Sequence, residues 1–331
     1  MERKRLALAN ITVSRTAIRL AKRYGYLPYM VQRYIDMLGV DEAEKLLRAN
    51  EEPYLRAIRC NDYLIDCDKL VERLSEKGIV LEPIPYTRTG FAVKMGSDKI
   101  GFLHEYMLGY YYIQDPASML PVESLDPRPN ETILDGAAAP GGKATQIQQY
   151  TKDESLLVAV DVSRERMRAL RSHLARMGFY NAILIRTDLR RLPDALGVQL
   201  FDKILLDAPC SGEGIVRRDP SRKTSRTLDD LLFLSDLQYE LSTASYSMLK
   251  QGGIFVYSTC SIGVEENEFV IDRLLRRFPD LEPLEQTIPG VAGIDEYRGI
   301  KFDPRLKKCR RLYPHIHNTE GFFICKIKKK D

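Results

Sequence analysis

The amino-acid sequence predicts an α/β fold with a mainly parallel sheet, and three observations lead to this prediction. Short apolar runs of the type that forms buried strands recur beyond residue 130. Helical segments separate these runs, and such alternation is typical of a parallel sheet with helices on both faces. Several runs also end in or beside an aspartate, at the sheet edge where such folds bind ligands. The predicted strands are 132–135, 156–161, 182–185, 203–207 and 254–257.

One helix between these strands is predicted in detail, over residues 163–177. Ser163 is a suitable N-cap, because its hydroxyl can accept a hydrogen bond from a free amide of the first turn. Gly178 is a suitable stop, because glycine readily adopts the left-handed conformation that ends many helices. The intervening apolar residues share one helix face, and they are Met167, Leu170, Leu174 and Met177.

The first hundred residues have a different pattern and predict two further regions. Apolar residues at helical spacing over 29–47 predict a helical N-terminus. A strand, a helix and a second strand then predict a small α/β module, with these elements at 55–58, 66–77 and 79–81. The expected domains are a helical region (1–50), the small module (51–108) and the domain with the parallel sheet (109–331).

Composition is that of an ordinary globular protein, with 44% hydrophobic and 29% charged residues among 331. No apolar stretch approaches the roughly 18 residues of a membrane span, and no secretory signal is visible. We therefore expect a cytoplasmic protein without a membrane partner, and a monomer by default.

Charge is unevenly spread: residues 1–33 hold eight basic residues against one acid, and residues 298–331 hold eleven basic residues against three acids. Such basic ends suggest a polyanionic partner such as nucleic acid, or simply solvated termini.

The six cysteines lie at 60, 67, 210, 260, 309 and 325. None of them forms a Cys-x-x-Cys pair, and no Cys/His spacing matches a zinc site. A chain of this length needs no disulfide to fold. We therefore expect reduced thiols and no metal, with His315 and His317 as structural residues.

A glycine-rich loop over residues 135–143 follows the first strand of the parallel sheet and precedes a helix. Its small residues allow a ligand close to the backbone. It matches neither Gly-x4-Gly-Lys-Ser/Thr nor Gly-x-Gly-x-x-Gly. Asp161 ends the next strand, where a carboxylate reaches a ribose diol in Rossmann-like folds. These features predict an adenosine-containing cofactor, either a nucleotide coenzyme or S-adenosylmethionine. Acids near the site favour the positively charged sulfonium of S-adenosylmethionine, and they are Asp135, Asp161, Asp188 and Asp207.

Two cysteines follow the ends of predicted strands, in Asp207-Ala-Pro-Cys210 and in Thr259-Cys260. Neighbouring parallel strands are about 4.8 Å apart, so both thiols can share one pocket if their strands are adjacent. A cysteine can be simply a small buried residue, but two at the ligand-binding edge favour chemistry. A thiolate that adds to carbon 6 of cytosine makes carbon 5 nucleophilic toward a methyl sulfonium. Amine methyltransferases usually carry Asn/Asp-Pro-Pro-Tyr/Phe here, and Cys210 replaces that aromatic residue.

These motifs resemble the Sun/Nop family of RNA (cytosine-5) methyltransferases, from about residue 55 to the C-terminus. The resemblance implies a Rossmann-like, S-adenosylmethionine-dependent methyltransferase fold with a seven-stranded, mostly parallel sheet, of the type seen in archaeal tRNA methyltransferases. It also implies that the small α/β module binds RNA. The family often has Cys-Ala-Ala-Pro-Gly-Gly-Lys in its loop, and Ala137 replaces that cysteine here.

The resemblance also implies roles for single residues. Cys260 is the nucleophile, Cys210 assists release of the adduct, and the pair Asp207 and Lys143 contacts cofactor and target base. Asp161 holds the ribose. The remaining cofactor contacts are Arg166, Asp188 and the loop residues Ala137, Ala138, Ala139, Pro140, Gly141 and Gly142.

A basic loop after the Pro-Cys motif predicts phosphate contacts, and its candidates are Arg217, Arg218, Arg222 and Lys223. Tyr110, Tyr111 and Tyr112 can either stack bases or pack in a core.

The expected activity is cytosine-5 methylation of RNA, with tRNA preferred over rRNA. Alternatives are methylation of DNA cytosine or of an RNA amine, and a non-catalytic RNA-binding or assembly factor on the same scaffold.

Overall fold

The computed structural model describes residues 2–331, apart from the side chains of residues 2, 3 and 6; Met1 of the predicted helical region lies outside the described residues. The helices are α1 (Glu2–Ala9), α2 (Arg15–Tyr24), α3 (Pro28–Leu38), α4 (Val40–Ala49), α5 (Cys67–Ser75), α6 (His104–Met107), α7 (Pro116–Leu125), α8 (Gly142–Tyr150), α9 (Arg164–Arg176), α10 (Leu192–Leu196), α11 (Leu228–Met248), α12 (Glu268–Arg277) and α13 (Pro314–His317). The strands are β1 (Ala57–Cys60), β2 (Val80–Pro83), β3 (Gly90–Met95), β4 (Tyr111–Ile113), β5 (Thr132–Asp135), β6 (Leu156–Asp161), β7 (Ala182–Arg186), β8 (Phe201–Asp207), β9 (Leu249–Thr259), β10 (Leu281–Pro283), β11 (Val291–Ala292), β12 (Glu296–Tyr297), β13 (Ile300–Lys301), β14 (Arg310–Leu312) and β15 (Phe322–Lys329).

Four strands of the larger sheet are parallel neighbours in the order β8-β5-β6-β7. Most apolar residues of β5, β6 and β8 are buried, as expected for strands covered on both faces, whereas the edge strand β7 is only partly covered. The chain runs outward from β5 to β7 and then returns to pair β8 on the other side of β5. This reversal creates a switch point between β5 and β8, which is where α/β sheets of this type bind their ligands.

The complete larger sheet has nine strands, in the order β11-β14-β15-β9-β8-β5-β6-β7 with β10 paired to β15. The predicted α/β, mainly parallel architecture is confirmed, and the strand count exceeds the expected seven. Two short strands account for the difference. β11 has two residues and pairs with β14, and β10 has three. The pairs β11/β14 and β14/β15 are antiparallel.

Helix α9 follows the prediction closely. The Ser163 side chain caps it by accepting a hydrogen bond from the Arg166 amide, at 3.2 Å. Gly178 lies just beyond its end with a left-handed φ of +82°. Leu170 and Leu174 are buried on the apolar face, which holds this helix in place after β6.

Residue contacts divide the chain into two compact units. The first unit comprises Met1–Tyr54, Ala208–Ser242 and Ser258–Cys325. The second unit comprises Leu55–Asp207, Thr243–Tyr257 and Lys326–Asp331. The chain therefore passes from one unit to the other several times.

Within the second unit, a small sheet of order β2-β3-β1-β4 packs its apolar residues with α5. The predicted strand, helix and strand are present as β1, α5 and β2. However, β3 lies between the two strands, and all neighbours are antiparallel. The interpretation of Tyr111 as a base-stacking residue is wrong. Its ring is fully buried, and its hydroxyl donates to the Ile100 carbonyl at 2.6 Å.

Within the first unit, the predicted N-terminal helical region contains a break. The apolar spacing over 29–47 belongs to two helices, α3 and α4, which are separated at Gly39. Gly39 has a φ of +82°, a conformation that favours glycine and interrupts the helix. Apolar residues of α2, α3 and α4 form one core with Val216, Ile262 and Tyr313.

A buried arginine ties helix α3 to later segments of the first unit. Arg33 is 1% exposed and bonds Glu213 at 2.5 Å. It also binds Glu265 through two hydrogen bonds, of 3.0 and 2.5 Å. Burial raises the pKa of Glu213 to about 7, although Arg33 opposes this rise. Two buried carboxylates thus depend on one guanidinium for their compensation.

Replacement of this arginine, Arg33→Ala, should lower the free energy of unfolding by about 3–5 kcal/mol, because it leaves buried carboxylates without their cation. Urea denaturation of wild type and variant measures the loss. Arg23→Ala is the matched control, since Arg23 bonds Glu44 at 2.9 Å but is 63% exposed. The control should cost less than about 1 kcal/mol. Equal losses in the two variants would contradict the assignment.

Four of the six cysteines form disulfides, which corrects the expectation of reduced thiols throughout. Cys60 at the end of β1 pairs with Cys67 at the start of α5, with their Cα atoms 5.9 Å apart. Cys309 pairs with Cys325 of β15, at a Cα separation of 4.4 Å. Sequence spacing gave no sign of either pair, because the folded chain brings the partners together. Cys210 and Cys260 are thiols.

The two C-terminal histidines both have protein neighbours. The Nδ1 atom of His317 lies 3.0 Å from the Tyr313 amide, and Nε2 of His315 lies 3.3 Å from the Glu42 carboxylate. Within residues 2–331 no group of three or more His, Cys, Asp or Glu residues is arranged to hold a metal ion. Over the same residues, none of the helices combines the length and apolar character needed to cross a membrane.

Candidate active site

The switch point of the second unit is lined by acids. Asp135 ends β5, Asp161 ends β6 and Asp207 ends β8. Because parallel strands present their carboxyl ends at one edge of the sheet, the three carboxylates converge there. Interactions of Asp135 with both other carboxylates show that they are close enough to affect one another electrostatically. This edge therefore favours a cationic ligand.

The glycine-rich loop leaves β5 and opens helix α8. The amides of Gly136 and Ala138 donate to carbonyls of the neighbouring strands β8 and β6, at 2.9 and 2.8 Å. Gly141 has a φ of +115°, and a Cβ atom there would lie 3.0 Å from the Leu170 side chain. Glycine is thus required at this position. The result is a loop held close to the sheet, with the amino end of α8 behind it.

Lys143, the last residue of this loop segment, is engaged by the protein. Its ammonium donates to the Asp207 carboxylate at 2.7 Å and to the Ser118 hydroxyl at 3.0 Å. The ion pair fixes the Asp207 side chain, which is 30% exposed. With its charge compensated in this way, the lysine offers little attraction to a pyrophosphate. The structure thus brings these two predicted site residues together.

Asp161 and Arg166 also lie together. The Asp161 carboxylate accepts a hydrogen bond from the Ser163 amide at 2.9 Å and lies 3.6 Å from the Arg166 guanidinium. Arg166 in turn donates to the carbonyl of Ala139 in the glycine-rich loop. One arginine thereby links the acid at the end of β6 with the loop that follows β5.

Asp188, the acid expected on the adenine side, follows β7. Its carboxylate accepts hydrogen bonds from the Arg190 side chain and from the Arg190 amide. These bonds, with that to the side chain as the largest cause, hold the pKa of Asp188 below its usual range. Asp188 is therefore ionised, and part of its hydrogen-bonding capacity is used by Arg190.

Asp135 is the most unusual acid of the group. It is 1% exposed, and within the described residues neither carboxylate oxygen has a hydrogen-bond partner at normal geometry. Burial raises its pKa to about 7, with Lys143 opposing this rise and Asp207 adding to it. A buried, poorly compensated carboxylate beside a glycine loop is a favourable partner for a bound cation.

Sequence reasoning missed Arg59 of β1, a buried arginine that supports the loop from behind. Its guanidinium donates to the Gly142 carbonyl at 2.7 Å and to the Thr145 hydroxyl at 2.8 Å, both at the start of α8. It also donates to the side-chain oxygens of Gln114 and Gln149. No sequence signal marked this residue, because its partners are 55 to 90 positions away.

The first unit contributes the two thiols. The sulfur atoms of Cys210 and Cys260 are 3.1 Å apart, and both residues are half-buried. Backbone bonds align the two segments: the Ala208 amide donates to the Ser258 carbonyl at 2.8 Å, and the Gly214 amide donates to the Cys260 carbonyl at 2.9 Å. Two cysteines separated by 50 residues in sequence thus present their thiols at one place.

The four predicted phosphate-binding residues each have a protein partner in the first unit. Arg217 donates to the Asn318 side chain at 3.0 Å, and Arg218 bonds Glu320 at 3.1 Å. Arg222 bonds Asp219 at 2.8 Å, and Lys223 bonds Glu51 at 2.5 Å. The loop is therefore ordered by internal bonds, and its contact with RNA remains a prediction.

Comparison with known proteins shows the family to which this chain belongs. A family model described as the 16S rRNA methyltransferase RsmB/F matches residues 122–328, which is more than half of the chain. A second model, for the N-terminal domain of the 16S rRNA methyltransferase RsmF, matches residues 27–116. The chain belongs to the RsmB/F methyltransferase family. The predicted resemblance to Sun/Nop methyltransferases is thereby confirmed.

Individual RsmB/F relatives include proteins named for both rRNA and tRNA. The chain is 38% identical to the 25S rRNA (cytosine-C(5))-methyltransferase nop2 of Schizosaccharomyces pombe, over 92% of this chain and 51% of that protein. It is 36% identical to the tRNA (cytosine(49)-C(5))-methyltransferase of Pyrococcus abyssi, over 91% and 95%. The chain spans about half or less of the length of the first curated relatives it matches.

A similar solved structure confirms the fold. A methyltransferase homolog protein from Pyrococcus horikoshii superimposes with a TM-score of 0.87 at 38% identity. The match covers 96% of this chain and all of that one. The Rossmann-like methyltransferase architecture predicted from the sequence is therefore present.

Proposed function

We propose that this protein is an RNA (cytosine-5) methyltransferase that uses S-adenosylmethionine, with Cys260 as its nucleophile and Cys210 as the assisting thiol. The observation that carries the proposal is the contact between these thiols, at 3.1 Å. Amine methylation and a non-catalytic role give no use for these thiols, whereas cytosine-5 chemistry uses one as nucleophile and can use the other in release. The names of the relatives, which specify carbon 5 of cytosine, support the same reaction.

The acids and the loop of the second unit fit S-adenosylmethionine better than a dinucleotide. Asp135 offers unpartnered carboxylate oxygens to a cation, and the charge of Lys143 is compensated by Asp207. We assign Asp161 to the ribose diol, and the loop residues 137–142, Arg166 and Asp188 to the remaining contacts. The cofactor supplies an electrophilic methyl group on its sulfonium.

In the proposed reaction, the Cys260 thiol loses its proton and its sulfur bonds to carbon 6 of the cytosine. This addition makes carbon 5 nucleophilic, so that it would take the methyl group from the sulfonium, whose carbon–sulfur bond breaks to leave a neutral thioether. A base, for which Cys210 is the candidate, would then take the proton from carbon 5, so that the double bond between carbons 5 and 6 reforms and the Cys260 sulfur leaves as a thiolate. Asp207, held by Lys143 at 2.7 Å, is assigned to the ring nitrogen or amine of the base, and Cys210 to the release step.

We divide the chain into three regions, one of which is assigned to RNA binding. We assign the helical region to 1–50, the small RNA-binding module to 51–108 and the catalytic domain to 109–331. The family-model match over 27–116 supports a distinct N-terminal portion. Arg217, Arg218, Arg222 and Lys223 are assigned to phosphate contacts. A guanidinium carries five N–H donors and an ammonium three, so these side chains can contact a phosphate in addition to their protein partners.

The proposal is tested by incubating the protein with total RNA and methyl-labelled S-adenosylmethionine, followed by mass spectrometry of the nucleosides. The expected product is 5-methylcytidine. Methyladenosine or methylguanosine alone would favour an amine methyltransferase, and failure of the cofactor to bind in calorimetry would favour a non-catalytic factor. Site mapping in cells with and without the gene then identifies the RNA. We prefer tRNA in a cytoplasmic setting, while the rRNA names of several relatives make rRNA the second candidate.

The raised pKa of Asp135 predicts a pH dependence of cofactor binding. Its carboxyl group is neutral below about pH 7 and ionised above it, and the ionised form attracts a cation more strongly. Protons therefore compete with S-adenosylmethionine, and its Kd should fall as the pH rises from 6 to 8, by at most about tenfold per pH unit. Calorimetry of the wild type and Asp135→Asn measures the effect.

The control for this measurement is Asp194→Asn, which removes an exposed carboxylate from the same unit. Asp194→Asn should keep the wild-type pH profile, and Asp135→Asn should flatten it. Parallel profiles for the wild type and Asp135→Asn would show that another group controls binding.

A further inference from the structure

A single buried carboxylate, Glu266, connects the segments that carry the two thiols. It is fully buried within the first unit. One carboxylate oxygen accepts from the Ser211 amide at 2.8 Å, and the other accepts from the Ser211 hydroxyl at 2.5 Å. That second oxygen also accepts from the Ser261 hydroxyl, at 2.6 Å. Ser211 directly follows Cys210, and Ser261 directly follows Cys260.

Two neighbours of Glu266 complete the arrangement. Gln238 of α11 donates to Glu266 at 3.0 Å and to the carbonyl of Pro209 at 2.9 Å, so that Cys210 is held on both sides. Asn267 accepts from the Thr259 hydroxyl at 2.6 Å and donates to the Ser261 carbonyl at 3.0 Å. These bonds hold both sides of Cys260.

The arrangement is more than ordinary core packing. Every one of its side chains other than the two cysteines is at most 1% exposed and polar, namely Ser211, Gln238, Thr259, Ser261, Glu266 and Asn267. Burying a carboxylate among neutral donors is costly, and apolar residues of similar volume would stabilise a core at least as well. The gain is geometric, because short charge-assisted hydrogen bonds fix the two serines and therefore the cysteines beside them.

We infer that Glu266 is a positioning residue that sets the distance between the Cys210 and Cys260 thiols. The effect of this distance on methyl transfer rests on the proposed function, whereas the positioning itself does not. Glu266 acts through Ser211 and Ser261, and its loss removes side-chain bonds that join the two cysteine segments, so that the thiols are held less precisely, by the backbone bonds alone. Both thiols must reach one cytosine ring, so a shift of about 1 Å is enough to slow the reaction.

The first readout of this inference needs no RNA and no cofactor. Diamide oxidises two adjacent thiols to a disulfide, and the two hydrogens reduce its nitrogen–nitrogen double bond. The rate of Cys210–Cys260 disulfide formation, followed by peptide mapping without reductant, reports how often the sulfur atoms meet. The wild type should react rapidly, since its sulfur atoms are 3.1 Å apart. Glu266→Ala should react at least about tenfold more slowly, and its kcat for methyl transfer should fall by a similar factor with an unchanged KM for the cofactor.

The conservative variant Glu266→Gln tests the mechanism more sharply. Its amide oxygen can keep the Ser211 amide and Gln238 as donors, and its amide nitrogen can donate to the serine hydroxyls, which can also accept. Glu266→Gln should therefore recover most of the oxidation rate and of kcat. Glu240→Gln, which removes an exposed carboxylate from α11, should match the wild type in both measurements.

The double variant Ser211→Ala/Ser261→Ala covers the case in which Glu266→Ala fails to fold. It removes both hydroxyl bonds, leaves the carboxylate in place, and should slow oxidation to a similar degree. Wild-type oxidation rates in a folded Glu266→Ala protein, or in the double variant, would overturn the inference. Slow oxidation in these variants combined with no methylation by the wild type would instead reject the proposed function and leave the positioning role intact.

Discussion

Cys260→Ala is expected to abolish methyl transfer to RNA while the protein still binds S-adenosylmethionine. The sulfur of Cys260 is assigned to bond formation with carbon 6, and alanine offers no atom that can replace it. Without this addition, carbon 5 stays a poor nucleophile. Loss of a covalent nucleophile lowers kcat by at least about a thousandfold. Transfer of labelled methyl groups to RNA measures the loss.

Cofactor binding by Cys260→Ala provides the control within the same variant. The assigned cofactor contacts belong to the second unit, whereas Cys260 belongs to the first. The Kd for S-adenosylmethionine should therefore stay within about twofold of the wild-type value. Ordinary turnover by Cys260→Ala would contradict the assignment of the nucleophile. A parallel loss of cofactor binding would indicate misfolding, which a thermal melt detects.

The parallel part of the fold could be predicted closely because its signals are local. Residues 132–135 and 156–161 are apolar runs bounded by polar residues, and they form β5 and β6 with the predicted bounds. Helix α9 carries its own start and stop in Ser163 and Gly178. Each of these features is decided within a few residues, so that sequence pattern and structure agree.

Features that depend on distant residues were not accessible in this way. The small sheet places β3 between β1 and β2, and this order depends on tertiary packing rather than on the strands themselves. The pairing of Cys309 with Cys325 follows from the fold around β15. Helical spacing over 29–47 was genuine, yet the φ of Gly39 divides it into two helices.

The candidate site also combines residues that sequence motifs mark with residues that only the folded structure reveals. The motifs and the family resemblance together identified Cys210, Cys260, Lys143 and Asp207, and the structure brings the members of each pair together. The sequence did not mark Glu266 or Arg59 as site residues, because a glutamate among acidic neighbours and an arginine in a strand resemble ordinary surface residues. Only their burial and their bonds to distant segments distinguish them.

Cys210→Ala is expected to trap a covalent complex between the protein and RNA. In the proposed reaction, Cys260 forms the adduct and Cys210 assists its release, so removal of Cys210 leaves the first step possible and slows the last. The Cys210 sulfur lies 3.1 Å from the Cys260 sulfur, and in the proposed adduct the bond that must break is the one that the Cys260 sulfur forms. A shifted band on a denaturing gel, removed by ribonuclease, measures the complex.

The double variant Cys210→Ala/Cys260→Ala distinguishes this complex from nonspecific crosslinking. It should give no shifted band, because the sulfur that bonds to carbon 6 is absent. Cys210→Ala alone should accumulate complex to near the amount of enzyme while its turnover falls by at least about a hundredfold, since release then limits the reaction. Rapid turnover without a complex would assign release to another group. A complex that persists in the double variant would mean that neither thiol attacks the base, and the division of labour between the two cysteines would have to be abandoned.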